Sequence, residues 1–207
     1  AHPDMYKFRV IRNPRLFPWR QPWFEVCCCP PNVSRLLGSL GQYMYTSGND
    51  ELQVNLYAAH TGTVSVCDKQ IAIKQETDYP WDGSIMMTIN PEEASAFTLS
   101  LRIPGWCKNA RIEINDSPAD GDIENGYFSI QRTWSPGDTV NIDFPMKPLL
   151  VSAHPRVRQN CGRAAIMRGP VVYCLEEIDN GKKLWDISIS EDDKLQDQYN
   201  PQLLGGV

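Results

Sequence analysis

From Glu51 onward, hydrophobic and polar residues of this chain alternate with a period of two. Phe97-Leu99-Leu101-Ile103 and Val140-Ile142-Phe144 place apolar side chains at every second position. Successive side chains of an extended chain point to opposite faces, so the pattern belongs to strands with one face in a core and one in water. It predicts strands over 52–59, 62–67, 70–75, 84–90, 96–103, 109–114, 126–131, 138–144, 148–153 and 163–177. Turn signals punctuate them at Thr61-Gly62, Asp82-Gly83, Asn90-Pro91, Asp120-Gly121, Asn125-Gly126 and Ser135-Pro136-Gly137-Asp138. Many short strands with regular punctuation predict a mainly β chain built as a β-sandwich.

Two regions depart from period two. Val33, Leu36, Leu37, Leu40, Tyr43 and Met44 form one apolar stripe at helical spacing, which predicts a helix over 32–46. Asn32 is its expected N-cap and Gly48-Asn49-Asp50 its expected stop. Residues 1–26 hold Pro3, Pro14, Pro18 and Pro22, which forbid a long helix. Their aromatics Phe17, Trp19, Trp23 and Phe24 need an apolar surface to lie on, and little nearby sequence supplies one. Residues 178–207 are polar and hold little that would complete a sheet, so the strands beyond about 150 read as the opening of a unit whose remainder lies elsewhere.

Composition narrows the classes. The chain has 207 residues, 42% hydrophobic and 22% charged, as for an ordinary globular protein. Its net charge of −5 argues against nucleic acid or an anionic membrane as partner. No apolar run approaches the ~20 residues of a membrane helix. The acidic composition, without a disulfide framework, suits either a cytoplasm or a periplasm. Of 7 cysteines, Cys67, Cys107, Cys161 and Cys174 are scattered beside strand-like residues and are expected to be buried thiols.

The other three stand in a row. Cys27-Cys28-Cys29 runs straight into Pro30-Pro31-Asn32, just before the predicted helix. Adjacent cysteines bridge each other only under strain. A thiolate-binding metal, a nucleophilic thiolate, or three cysteines of no special role are the readings open on chemistry alone. Neighbours in an extended chain point apart, so three cannot easily bind one ion, but two can if the backbone turns between them. A helix N-terminus is expected to lower a thiol pKa. A closed zinc site needs four ligands, and no second cysteine pair or suitably spaced histidine is present, so any further ligands lie outside this sequence.

Trp23-Phe24-Glu25-Val26-Cys27-Cys28-Cys29-Pro30-Pro31-Asn32-Val33-Ser34-Arg35 resembles the signature of glycoside hydrolase family 127, the β-L-arabinofuranosidase-like proteins. Leu101-Arg102-Ile103-Pro104-Gly105-Trp106 and Arg168-Gly169-Pro170-Val171-Val172-Tyr173-Cys174-Leu175-Glu176 resemble the same family, in the family's order. The resemblance implies an (α/α)6-barrel catalytic domain followed by two β-sandwiches. On that plan residues 1–47 close the barrel with its last helix, 48–149 form the first sandwich and 150–207 open the second, incomplete here. It further implies retaining, exo-acting hydrolysis of β-L-arabinofuranosides in plant-type glycans. Zn2+ would be held by one Glu and three Cys, one of these being the nucleophile. Matching the Cys-Cys-Pro-Pro-Asn core puts the nucleophile on Cys28, which also ligates zinc, and a second zinc ligand on Cys29. A register shifted by one would name Cys27 and Cys28 instead; the Pro-Pro-Asn anchor favours the first, leaving Cys27 a bystander. The position of Val26 is often Cys in the family, a departure here.

The other ligands, the acid/base Glu and the sugar-binding residues would lie upstream, so the isolated chain is expected to be inactive. The competing reading is a non-catalytic carbohydrate-binding or scaffolding β-sandwich with a vestigial or structural thiol site. Blander expectations attach to the remaining residues. Glu25 reads as an exposed loop carboxylate, His60 as a turn histidine, and Trp106 as sandwich core. Arg35 suits a barrel carboxylate or a solvated helix face equally.

Overall fold

The structure, a computed structural model, describes residues 28–190 and 193–202. The chain divides into two compact units, residues 1–42 and 43–207. In the first, helix α1 spans Cys29–Ser39, with exposed Val33, Leu36 and Leu37 and no buried residue. A single turn, α2 (Gly41–Met44), then leads to the second unit.

The second unit is almost entirely β. One sheet orders β1 (Tyr45–Ser47), β2 (Glu51–Val54), β6 (Ser95–Arg102), β10 (Tyr127–Trp134) and β9 (Asp122–Glu124) side by side. The other orders β3 (His60–Val66), β4 (Lys69–Thr77), β5 (Ser84–Pro91), β11 (Asp138–Asp143), β7 (Arg111–Ile114) and β8 (Ser117–Pro118). β2 and β6 run parallel; the other described pairs of these sheets are antiparallel.

Alternation fixes which faces meet. In β6, Phe97, Leu99 and Leu101 point inward, and in β5 Ile85, Met87 and Ile89 do, all 3% exposed or less. They join Leu52, Val54, Ile71, Ile73, Trp134, Val140, Ile142 and Phe144 in one cluster drawn from both sheets, so the sheets pack face to face. Trp134 stacks on Phe97 with centroids 5.8 Å apart, and its indole N–H donates to the Phe97 carbonyl at 3.1 Å. Phe144 makes steeply tilted, T-shaped contacts with Tyr57, Tyr79 and Trp106, centroids 5.4, 6.4 and 6.0 Å away. The expected core role of Trp106 is met at the rim, where it is partly buried against this cluster.

A third sheet follows: β12 (Pro148–Ser152), β13 (Ala164–Arg168) and β14 (Val171–Tyr173). None of its strand residues is buried. A short helix α3 (Glu177–Asn180) comes next.

Several expectations are corrected. The helix begins at Cys29 rather than Asn32 and ends at Ser39, not 46. Prolines suit a first turn, where their missing N–H is no loss. Near the other end the Ser39 hydroxyl folds back onto the Arg35 and Leu36 carbonyls, at 3.0 and 3.2 Å. Residues 55–59 are not strand, because the chain there crosses from one sheet to the other and turns Tyr57 into the core. Thr61-Gly62 and Asn90-Pro91 lie inside β3 and β5. The run 163–177 is a hairpin bent at Gly169 (φ +56°), where the next strand returns. β1, β8 and β9 are strands the periodicity missed, being three, two and three residues long. Among the scattered cysteines only Cys107 is buried; Cys67, Cys161 and Cys174 are exposed. Cys67 and Asp68 take φ of 53° and 58° in the tight β3–β4 turn, which holds that thiol out of the core.

Candidate functional site

Cys28 and Cys29 stand together at the start of α1. Cys28 is the N-cap residue but already has helical backbone angles, φ −72° and ψ −32°. The chain is therefore turning, not extended, between the two thiols, and their Sγ atoms lie 3.7 Å apart. The Asn32 side chain does not cap the helix from outside; its Nδ2 donates to the Cys28 carbonyl at 2.8 Å, one turn back. This bond and the rigid Pro30-Pro31 pair hold the turn that juxtaposes the thiols.

The electrostatics differ from expectation. The Cys29 pKa is raised, not lowered, first by the hydrogen bond with Cys28, then by repulsion from a Cys28 thiolate, with slight desolvation added. The helix terminus offers little opposing help, because Pro30 and Pro31 carry no N–H to point at a thiolate. Two adjacent thiols with this chemistry suit a cation that neutralises both.

Zinc can be tested against the spacing. Four ligands at ~2.3 Å from a tetrahedral ion stand about 3.8 Å apart. The observed 3.7 Å matches one edge, so Cys28 and Cys29 fit as two ligands of one ion. Among the described residues no group of three or more His, Cys, Asp or Glu is gathered to complete a site. Cys27 and Glu25, singled out from the sequence, lie outside the described residues. Arg35 is exposed on α1.

His60 is not a loose turn residue. It opens β3, its Nδ1–H donates to the Ala58 carbonyl at 2.7 Å, and its Nε2 accepts from the Tyr45 hydroxyl at 2.9 Å. Gln75 Nε2 donates to that hydroxyl at 2.7 Å. Burial raises the Tyr45 pKa to about 12, against the opposing effect of the Gln75 bond. The chain of bonds ties β1, β3 and β4 together, a structural task that explains the histidine. A cleft around Trp81, Arg168 and Asp197 includes Arg168, Val171 and Tyr173 of the third family-like stretch, but period and spacing gave no sign that Trp81, 87 residues earlier, lies beside them.

Comparison with known proteins decides the family. Residues 51–146 match the beta-L-arabinofuranosidase GH127 middle domain, and residues 148–202 the glycoside hydrolase family 127 C-terminal domain. This chain belongs to glycoside hydrolase family 127. A non-reducing end beta-L-arabinofuranosidase of Bifidobacterium longum subsp. longum is 34% identical over 199 residues, covering 91% of this chain and 30% of that protein. The crystal structure of a GH127 beta-L-arabinofuranosidase from Geobacillus stearothermophilus T6 is similar over 100% of this chain and 33% of its own, with TM-score 0.92 and 44% identity. A second GH127 beta-arabinofuranosidase structure gives TM-score 0.83 and 37% identity over 91% of this chain and 32% of its own. The family 127 chain thus spans about a third of the length of these relatives. It is mainly β, with the helix that carries Cys28 and Cys29 ahead of its sheets.

Proposed function

We propose that this chain is the Cys-Cys-Pro-Pro-Asn portion of a retaining exo-glycosidase acting on β-L-arabinofuranosides of plant-type glycans, with Cys28 as nucleophile. The observation that carries the proposal is the pair of Sγ atoms 3.7 Å apart, held in a rigid proline turn. The relatives' named activity supports the sugar. Cys28 and Cys29 would hold Zn2+ with ligands from beyond the described residues. Such an ion would favour the thiolate form of its ligands, whereas without it the neighbouring Cys28 raises the Cys29 pKa.

Cys28 Sγ attacks the anomeric carbon as the glycosidic bond breaks, giving a glycosyl thioether. A carboxylic acid across the bond, roughly 5 Å from the nucleophile in retaining enzymes, protonates the leaving oxygen. Water then displaces the thioether with that carboxylate as base, so the configuration is kept. Cys29 does not react; with its Sγ 3.7 Å from that of Cys28, it would be the second thiolate holding the ion. The turn at Cys28 limits the motion of the nucleophile, which is how positioning lowers such barriers.

The test uses the full-length protein. Cys28→Ser should lower kcat on a nitrophenyl β-L-arabinofuranoside by about 10³-fold or more, as loss of a covalent nucleophile does. Wild type should hold one zinc per chain and form a glycosyl adduct mapped by mass spectrometry to Cys28. An adduct on Cys27, or full activity in Cys28→Ser, overturns the assignment. The 207-residue chain by itself should show no turnover, because among its described residues no third His, Cys, Asp or Glu is grouped with Cys28 and Cys29.

A further inference from the structure

The loop joining β4 to β5 and the third sheet flank an open cleft. Trp81, Arg168, Val171, Tyr173, Asp197 and Tyr199 line it. We propose that this cleft is a binding subsite for a neutral saccharide ring, a role that goes beyond the reading of Cys28 and does not rest on it.

Three observations carry the proposal. First, the walls are preorganised. Trp81 N–H donates to the Asp78 carbonyl at 2.9 Å and Ser84 N–H to the Asp82 carboxylate at 2.7 Å. Gly83 packs so closely on the Phe144 backbone that a Cβ would overlap its carbonyl oxygen, and Phe144 N–H returns a bond to the Gly83 carbonyl at 3.0 Å. Second, three large aromatics converge here yet stay open to solvent: Trp81 47%, Tyr173 42% and Tyr199 69% exposed. Rings of this size ordinarily go into cores, and their flat faces suit the C–H side of a sugar.

Third, the polar groups form a fixed donor–acceptor pair. The Arg168 Nε donates to Asp197 Oδ2 at 2.7 Å and its Nη1 to the Trp81 carbonyl at 2.8 Å. Among the described residues the Arg168 Nη2 and the Asp197 Oδ1 make no hydrogen bond. A held N–H donor beside a held carboxylate acceptor matches two neighbouring hydroxyls, one accepting and one donating. The carboxylate also neutralises the guanidinium, so the cleft favours an uncharged ligand over a phosphate.

The test measures binding to the 207-residue chain by saturation-transfer NMR, with L-arabinose as probe and inorganic phosphate as comparison. The expected result is saturable, millimolar binding of the sugar and none of phosphate. Trp81→Ala and Tyr199→Ala should each weaken it at least ~10-fold. Trp185→Ala, an exposed tryptophan outside the cleft, should leave it unchanged, as should Cys28→Ser, which separates this proposal from the nucleophile. All variants alter exposed side chains, and unchanged thermal melting would show that they fold. No saturable sugar signal in wild type, equal binding by Trp81→Ala, or preference for phosphate would overturn the proposal.

Discussion

The two-sheet sandwich and the three-stranded sheet that follows it are written in nearly the same residues but end in different environments. Val140 and Ile142 in β11 are 0% and 1% exposed, while Val172 in β14 is 59% exposed and Val151 in β12 is 42% exposed. Both regions have paired backbones, so local strand formation does not separate them. What separates them is a second face. The sandwich sheets bury each other, whereas the third sheet meets no partner sheet among the described residues. Apolar strand sequence therefore specifies pairing, and burial needs an opposite surface to be specified as well.

Substitutions should widen or close that contrast. The largest effect belongs to Trp134→Ala, which removes a fully buried ring stacked on Phe97 and under the Arg132 guanidinium at 5.1 Å. A loss of ~3–5 kcal/mol is expected in urea unfolding. If Val172→Ala in the third sheet cost as much, the contrast would collapse.

Gly83→Ala comes next. The new Cβ would overlap the Phe144 carbonyl oxygen, a backbone atom that cannot swing aside, and ~1–3 kcal/mol should be lost. Gly105→Ala meets nothing within 4 Å and should stay within ~0.5 kcal/mol. Equal melting temperatures for the two variants would contradict the packing described.

Asp138 tests the polar side of the sandwich. Burial would raise its pKa, but the Asn115 amide, the Ser135 N–H and Arg132 together outweigh that and hold it below the usual carboxylate value. The bonds are 2.9 Å each from Asn115 and Ser135. With the folded pKa depressed, the carboxylate stabilises the fold fully above its unfolded pKa, and that contribution is lost as pH falls through the folded value. Asp138→Asn should cost ~1–2 kcal/mol at neutral pH. The gap between wild type and variant should shrink in acid; a gap that grew on acidification would contradict the sign.

The smallest effect is expected in the third sheet. Val172→Ala, at a side chain 59% exposed, should change stability by less than ~0.5 kcal/mol. A larger loss in a longer form of the protein than in this chain would show that further sequence covers that face.

Legibility followed the same division. Alternation in β5, β6 and β11 was visible because apolar, core-facing side chains recur at every second position of each strand. Asn125-Gly126, with φ of 51° and 84°, turned the chain as that dipeptide should. Within 163–177 the break is Arg168-Gly169-Pro170, whose Gly-Pro pair is a turn signal; reading through it joined the two arms of a hairpin into one strand. Cys67 misled because a thiol after Val64 and Val66 looks like the end of a buried strand, while its backbone sits in a tight turn. At the candidate site, the residue types and their order singled out Cys28 and Cys29, but the direction of the Cys29 pKa was misread. Helix position suggested an easier ionisation, and the neighbouring thiol reversed it.

By itself the sequence determined the β-rich class, the main inward faces of the sandwich and the family to which the cysteine motif belongs. These depend on local periodicity and on short ordered words, which are complete within a few residues. Only the tertiary structure decided that the two thiols sit 3.7 Å apart, that no strand residue of the third sheet is buried among the described residues, and that Trp81 meets Arg168 and Asp197 across a cleft. Those features depend on where the backbone turns and on which distant surfaces meet. Neither is carried by the spacing of residues along the chain.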